Sequence, residues 1–297
     1  MSIEVCEREV LRALERFVQR YVVWMEREVH AKHLGVGEEV LRVMEELGLV
    51  ERAGPDVYRL RRPSLAARVL ARRGRARELF PLVEGYDDIK EFIAKSFLVR
   101  GVNVLLVGPP ASGKTLFLET IYVLNQDIAV HVDAANTTSA GFVGLVVERG
   151  PEIVCIDELD KAYDRRLYAS LSLMLESGKV IETKHGKVRA RAVRANVYAA
   201  ANTAARLPSY LRDRFLKFRL RPYTPDEIVK ISARALTKFG IVTDGELATR
   251  LAETMVREVG VRSIRDILKL GRFVRRPEDI DFVKRIASRY MAGRLSF

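Results

Sequence analysis

Residues 102–115 read Val-Asn-Val-Leu-Leu-Val-Gly-Pro-Pro-Ala-Ser-Gly-Lys-Thr. The run Val102–Val107 has the apolar character of a strand buried on both faces. It is followed by Gly108-Pro109-Pro110-Ala111-Ser112-Gly113-Lys114-Thr115, which fits G-x-x-x-x-G-K-[ST], and then by a helical pattern over Lys114–Leu124. Strand, glycine loop and helix in that order make a phosphate cradle. The glycines let the backbone curl so that successive N–H groups face a polyphosphate, and the helix N-terminus adds partial positive charge. Lys114 is placed to neutralise the β- and γ-phosphates, and the Thr115 hydroxyl to sit on Mg²⁺. The expected ligands are ATP and Mg²⁺, with all eight residues from Gly108 to Thr115 in contact.

Outward from this stretch, strands and helices alternate. Ile128–Val132, Ile153–Ile156, Val197–Ala201 and Leu216–Leu220 read as strands, and Asp164–Glu176 as a helix. That alternation predicts an α/β core with a parallel sheet over residues 80–223. From Pro225 on, only helical patterns occur, ending in Pro277–Arg289, so residues 224–297 are expected to form a small helical lid. Before the sheet, Leu11, Leu14, Phe17, Val18 and Tyr21 recur at helical spacing, and a second helix spans Glu38–Leu47 before Gly48. Leu49–Arg52 and Val57–Leu60 then flank a Gly54-Pro55-Asp56 turn. Helices followed by a two-stranded wing are the order of a winged helix, expected over residues 1–62. Residues 63–79 read as a basic linker, since no acid lies between Asp56 and Glu78 while Arg59, Arg61, Arg62, Arg68, Arg72, Arg73, Arg75 and Arg77 do. It is either a solvated connecting helix or a contact to a phosphate backbone.

A second chemical signal is Ile153-Val154-Cys155-Ile156-Asp157-Glu158, an apolar strand ending in two carboxylates. Asp157 is expected to hold the metal, directly or through water, and Glu158 to orient and polarise an attacking water. Chemistry at a γ-phosphate needs both. With Asp160-Lys161 following, a helix N-cap is the structural alternative for this acidic pair.

In order, Gly108–Thr115, Val154–Ala162 (VCIDELDKA), Ala199–Thr203 (AAANT) and Leu211–Phe215 (LRDRF) resemble the motif set of AAA+ ATPases over about residues 80–275. Within that superfamily the set is most similar to RuvB-like ATPases, and to an archaeal member. The resemblance implies a P-loop core with a C-terminal helical lid, ATP hydrolysis, and a homo-oligomeric ring, expected to be a hexamer. It implies that Asn202 is the sensor 1 residue near the γ-phosphate. Arg214 is then the arginine finger reaching into the neighbouring subunit, with Arg212 as the alternative. Arg262 in Gly260–Arg265 (GVRSIR) matches the sensor 2 position, with Arg265 as the alternative. Val83, Gly85 and Tyr86 stand where the family wraps the adenine. One departure stands out: RuvB-type proteins carry a winged helix after the lid, whereas here the candidate wing comes first, so branch migration does not follow from the motifs.

Two features bear on the substrate. Residues 179–194 alternate, turn at His185-Gly186 and alternate again, which predicts a β-hairpin with Lys184, His185 and Lys187 at its tip. In a ring pore such lysines grip phosphates without reading sequence; otherwise they solvate an edge hairpin. Thr138–Gly144 (TSAGFVG) resembles the aromatic pore loop of ClpX-type unfoldases. Phe142 is then either a polypeptide grip or a core residue at the start of a helix.

Composition sets the frame. The chain has 297 residues with 51 Lys and Arg against 39 Asp and Glu, a net charge of +12. Apolar residues make up 48%, which excludes a fully disordered chain. The charge favours an anionic partner, whether nucleic acid, nucleotide or an anionic surface; taken with the basic linker and the hairpin it makes DNA the leading expectation. A protein-remodelling motor, and a slow ATP switch resembling initiator and loader ATPases, are the competing expectations. Cys6 and Cys155 cannot make a disulfide framework, His30, His33, His131 and His185 show no zinc spacing with cysteine, and no apolar run approaches the ~18 residues of a membrane span. The expected compartment is the cytoplasm. Scarce glutamine (Gln19 and Gln126) beside abundant Arg and Glu fits a heat-adapted protein.

Overall fold

In the computed structural model, which describes residues 3–24, 26–184 and 187–291, the chain opens with α1 (Ile3–Trp24). Val10, Ala13, Leu14, Phe17, Val18 and Tyr21 form its buried stripe. Then come β1 (Glu28–His30), α2 (Ala31–Leu34), α3 (Glu38–Glu46), β2 (Val50–Gly54) and β3 (Val57–Leu60). The three strands make an antiparallel sheet in the order β1-β3-β2. Val40, Leu41 and Met44 bury one face of α3, and Gly48 follows it at φ +67°, a conformation that glycine adopts without strain.

The arginine-rich stretch folds into α4 (Pro63–Arg72) and α5 (Ala76–Leu79). Pro63 suits the first turn of α4, and Ala66, Ala67, Leu70 and Ala71 are buried. Asp127 accepts hydrogen bonds from the Ser64 amide at 3.1 Å and hydroxyl at 2.6 Å. Four of the stretch's five arginines are drawn into ion pairs: Arg68 with Glu152 (2.7 Å), Arg73 with Glu7, Arg75 with Glu15 (3.2 Å) and Arg77 with Asp87 (2.7 Å).

After α6 (Asp87–Ser96), the sheet is built from β4 (Asn103–Val107), α7 (Lys114–Leu124), β5 (Ala129–Asp133), α8 (Ser139–Arg149), β6 (Ile153–Asp157), a 3₁₀ turn (Leu159–Lys161) and α9 (Arg166–Ser177). A separate hairpin, β7 (Lys179–Lys184) and β8 (Lys187–Ala192), precedes β9 (Asn196–Ala201), α10 (Ser209–Arg212) and β10 (Leu216–Arg219). Five strands run in the order β10-β4-β9-β6-β5, and every neighbouring pair is parallel. β9 is buried at all six positions, as a central strand covered on both faces must be.

Everything through residue 220, apart from residues 82–84 and 110–113, forms one compact unit; those short segments group with residues 221–297 in a second. The second unit contains α11 (Pro225–Lys238), α12 (Gly245–Glu253), a π-helical turn (Thr254–Glu258), α13 (Ile264–Gly271) and α14 (Asp279–Tyr290). A Cβ at Gly271 would come within 2.3 Å of the Leu236 side chain, so α13 packs closely on α11 at this glycine. Among the described residues no helix is long and apolar enough to cross a membrane.

Candidate functional site

Strand register brings the sequence motifs to one edge. Val107 pairs with Ala201, Ile156 with Ala199 and Asp133 with Asp157, so β4, β9 and β6 end at nearly the same level. The Gly108 amide donates to the Ala201 carbonyl at 3.2 Å. The glycine loop after β4, Asp157-Glu158 at the end of β6 and Asn202 after β9 therefore share the carboxyl edge of the sheet, where open α/β sheets bind ligands.

The loop takes two left-handed turns, at Ala111 (φ +61°) and Gly113 (φ +88°). Gly113 is needed twice over, because an added Cβ would lie 2.4 Å from the Tyr223 hydroxyl. Lys114 is buried. Its ammonium donates to the carbonyls of Gly108 and Pro109, each at 2.7 Å. Burial pulls its pKa below the ordinary lysine value, against the opposing pull of Asp157 and Asp160.

The Thr115 hydroxyl donates to Asp157 Oδ2 at 3.1 Å. Two hard oxygens side by side fit a magnesium ion that takes its remaining ligands from phosphate and water. Among the described residues no cluster of three or more His, Cys, Asp or Glu could make an all-protein metal cage. Asp157 Oδ1 accepts the Glu158 amide at 2.8 Å. Glu158 itself sits at φ +52°, uncommon for a residue with a side chain and found preferentially at functional sites. Its Oε1 accepts from Lys161 Nζ at 2.5 Å.

Asp160 has a role that its sequence position does not reveal. It is buried, and its two oxygens accept the amides of Asn202 (3.1 Å) and Thr203 (3.2 Å), fixing the loop after β9. Arg214 is half-buried; its guanidinium meets Glu176 at 2.6 Å and the Ser172 hydroxyl at 3.3 Å, both on α9. The Arg212 Nε is buried without an acceptor among the described residues. In the second unit, Arg262 precedes α13 and Arg265 lies in its first turn, both exposed. Val83 is buried, Gly85 lies at φ +66°, and Tyr86, at φ +56°, sets its ring edge-on against Phe117.

Phe142 requires a correction. It is fully buried in α8, within the hydrophobic layer under the sheet, and cannot grip a polymer from there. Thr138 and Gly141 are explained by the same helix: Thr138 is its N-cap, accepting the Gly141 amide at 3.0 Å. The hairpin does form, with Lys184 paired to Lys187, and its base is fixed to the end of α8 by Arg191 donating to the Val147 carbonyl at 2.5 Å. His185, Gly186 and the side chains of Lys184 and Lys187 lie outside the described residues. Cys155 is buried, and burial pushes its thiol pKa far above the ordinary value, which suits a core residue and not a redox group.

No protein-family model matches the chain. A RuvB mutant from Thermotoga maritima superposes over 68% of this chain and 70% of its own, at 18% identity and a TM-score of 0.52. The chain therefore shares its fold with that RuvB structure. A second RuvB from that organism, described as a Holliday junction branch migration motor, aligns over 87% of this chain and 72% of its own at 17% identity and a TM-score of 0.47. In the RuvB-like fold the parallel sheet and its carboxyl edge are the scaffold on which the residues above converge; their chemistry has to be argued from the site itself.

Proposed function

We propose that the chain is an Mg²⁺-dependent AAA+ ATPase that works as a homo-oligomeric ring, a hexamer, on DNA. The observation that carries this reading is the meeting of Lys114, Thr115 and Asp157 at the end of the sheet, with Thr115 and Asp157 3.1 Å apart. Backbone amides of Ala111–Thr115 would cradle the triphosphate, and Lys114 would leave its loop carbonyls for the β- and γ-phosphates. Thr115 and Asp157 would hold the Mg²⁺, which when bound would neutralise charge on the transferred phosphoryl group. Glu158 exchanges Lys161 for the attacking water and takes up its proton. Asn202, held by Asp160, orients that water. Arg214 exchanges Glu176 for the phosphoryl oxygens of the neighbouring subunit's nucleotide, and Arg262 contacts the γ-phosphate from the lid. Ring formation is supported by apolar exposure on the elements around Arg214: Leu173, Tyr210 and Leu216 all face solvent.

DNA is supported by the charge of the chain after residue 62. Residues 1–62 hold eleven Lys and Arg against twelve Asp and Glu, so the +12 excess lies downstream. Of the wing, α3 turns Glu38, Glu39, Arg42 and Glu46 to solvent, and Arg52 lies 3.7 Å from Glu38. A helix with that face is repelled by phosphates, so major-groove reading by α3 forms no part of the proposal. A protein-remodelling function loses its residue with Phe142 buried.

The test is steady-state ATP hydrolysis with Mg²⁺, alone and with single-stranded DNA, duplex DNA or denatured protein. Hydrolysis stimulated by DNA is the expected result. Stimulation by denatured protein alone overturns the DNA assignment. Turnover unchanged in Glu158→Gln overturns the assignment of the site.

A further inference from the structure

The end of the lid carries a surface that the nucleotide site does not use. On α14, Ile280, Val283 and Ala287 face inward. Phe282, Arg285, Ile286 and Arg289 fall within a sector of about 100° on the outward side. Phe282 is 47% exposed, with the Arg285 guanidinium 5.9 Å from its ring centre; Tyr290 is 67% exposed, with Arg289 5.4 Å from its own. The segment just before α14 adds Phe273, 65% exposed, between the exposed Arg272 and Arg276. That segment is tied to the first turn of α14 by the Arg275 and Arg276 amides, which donate to Asp279 at 2.8 and 2.9 Å.

Two physical facts set this surface apart from an ordinary solvated helix. Three large aromatic rings stand in water within eighteen residues, 273–290, where soluble proteins usually bury them. Beside them, Arg272, Arg276, Arg285 and Arg289 form no ion pair with any described residue. In the basic stretch 63–79, by contrast, Arg68, Arg73, Arg75 and Arg77 are paired with acids, and Arg72 is not, among the described residues. Within residues 272–290 the exposed acids, Glu278 and Asp281, are confined to the N-cap and first turn of α14; beyond them, unpaired guanidinium groups stand beside exposed rings, which matches a polymer that offers phosphates and flat bases in alternation. Duplex DNA hides its base faces in the stack; a single strand does not. Arginine binds the phosphates, and each ring stacks on a base whatever its identity.

We infer that α14 and the segment 272–276 form a binding surface for single-stranded DNA, with Phe273, Phe282 and Tyr290 as stacking platforms and Arg272, Arg276, Arg285 and Arg289 as phosphate contacts. The inference rests on the DNA-motor reading and names where the polymer is held and in which form. It also moves DNA contact from the N-terminal wing, whose exposed helix is acidic, to the opposite end of the chain.

The experiment measures fluorescence anisotropy of a labelled oligothymidylate with the full chain across a salt series, with unlabelled duplex as competitor. Arg285→Ala with Arg289→Ala is expected to weaken binding about tenfold and to reduce the salt slope by about 1.4, two phosphate contacts on a single strand. Phe282→Ala is expected to weaken binding about tenfold with the salt slope intact. Thermal midpoints of the variants should match the parent. The arginine pair is exposed, so it keeps the test open if Phe282→Ala fails to fold. Parent-like oligothymidylate binding by the arginine variant overturns this surface and leaves the DNA-motor reading standing. No binding of either DNA form by the parent at low salt, with ATP still hydrolysed, overturns both. Variants that bind DNA normally but change oligomeric state assign the face to self-association and overturn the inference.

Discussion

The carboxyl edge of the parallel sheet and the outward face of the N-terminal wing carry their information differently. At the edge, short motifs lie at strand ends, and parallel register brings Gly108, Asp157 and Asn202 to one level whatever surrounds them. In the wing, helices and a three-stranded sheet follow the order of a DNA-reading module, yet α3 shows solvent Glu38, Glu39 and Glu46 around a single Arg42. The lesson is that backbone order fixes where a helix lies, while the side chains it exposes decide what it can bind. A site made of backbone amides and register is robust to that distinction; a binding face is not.

The edge side of this comparison is broken most severely by Arg214→Ala. An arginine acting on the transferred phosphoryl group contributes about 10³-fold or more to turnover. The expected result is loss of hydrolysis with nucleotide binding retained. Mixing this variant with Glu158→Gln should restore part of the activity, since one supplies an intact site and the other an intact arginine. If mixing restores nothing, Arg214 acts within its own chain or only pairs with Glu176.

Asp160→Ala probes the same edge at smaller amplitude. Removing the carboxylate leaves the part-buried Asn202 and Thr203 amides without their acceptors, at a cost of about 1 kcal/mol for each. Denaturant unfolding should show that loss. In kinetics, turnover should fall with little change in nucleotide affinity, because Asp160 holds the loop after β9 and not the glycine loop. Equal losses in affinity and turnover would mean that it supports the glycine loop instead.

On the wing side, Glu38→Lys with Glu39→Lys reverses two charges of α3. DNA affinity is expected to stay level or rise a few-fold at low salt, the effect of added positive charge alone. A drop in affinity, or a changed sequence preference, would show that α3 does read DNA and would dissolve the contrast.

What was legible follows the same division. β4, β6 and β9 could be read because each is an apolar run closed by a glycine, an acid or an asparagine. β1 could not: Glu28-Val29-His30 has one apolar residue, and it becomes a strand only by pairing with Val57–Arg59 far along the chain. Residues 63–79 drew attention to their arginines, but the small residues Ala66, Ala67 and Ala71 decide that α4 packs down. Asp160 is written as one acid among several, and only the approach of β9 gives it two amides to hold. Phe142 was ambiguous because a glycine-flanked aromatic suits a loop and a helix start equally; the Thr138 cap decides for the helix.

The second unit offers a smaller test at the start of α11. Thr224-Pro225-Asp226-Glu227 has the spacing of a capping box, and α11 begins with one: Glu227 Oε2 accepts the Thr224 amide at 2.8 Å, and Thr224 Oγ1 accepts the Glu227 amide at 3.3 Å. Arg221 closes on the same carboxylate at 2.6 and 2.7 Å. Arg221, against the opposing effect of burial and with help from Thr224, holds the Glu227 pKa down to about 2 from its ordinary 4.5. A depressed carboxylate stabilises the folded state above its unfolded value and stops doing so as pH falls through its folded one. Glu227→Gln should therefore cost about 1 kcal/mol near neutral pH, the scale of a cap. The difference from the parent should shrink between pH 4.5 and 2, where protonation makes the parent resemble the variant. Thermal midpoints of the two proteins across that range are the measurement. A gap that persists undiminished at pH 2 would place the stabilisation in the shape of the side chain and not in its charge.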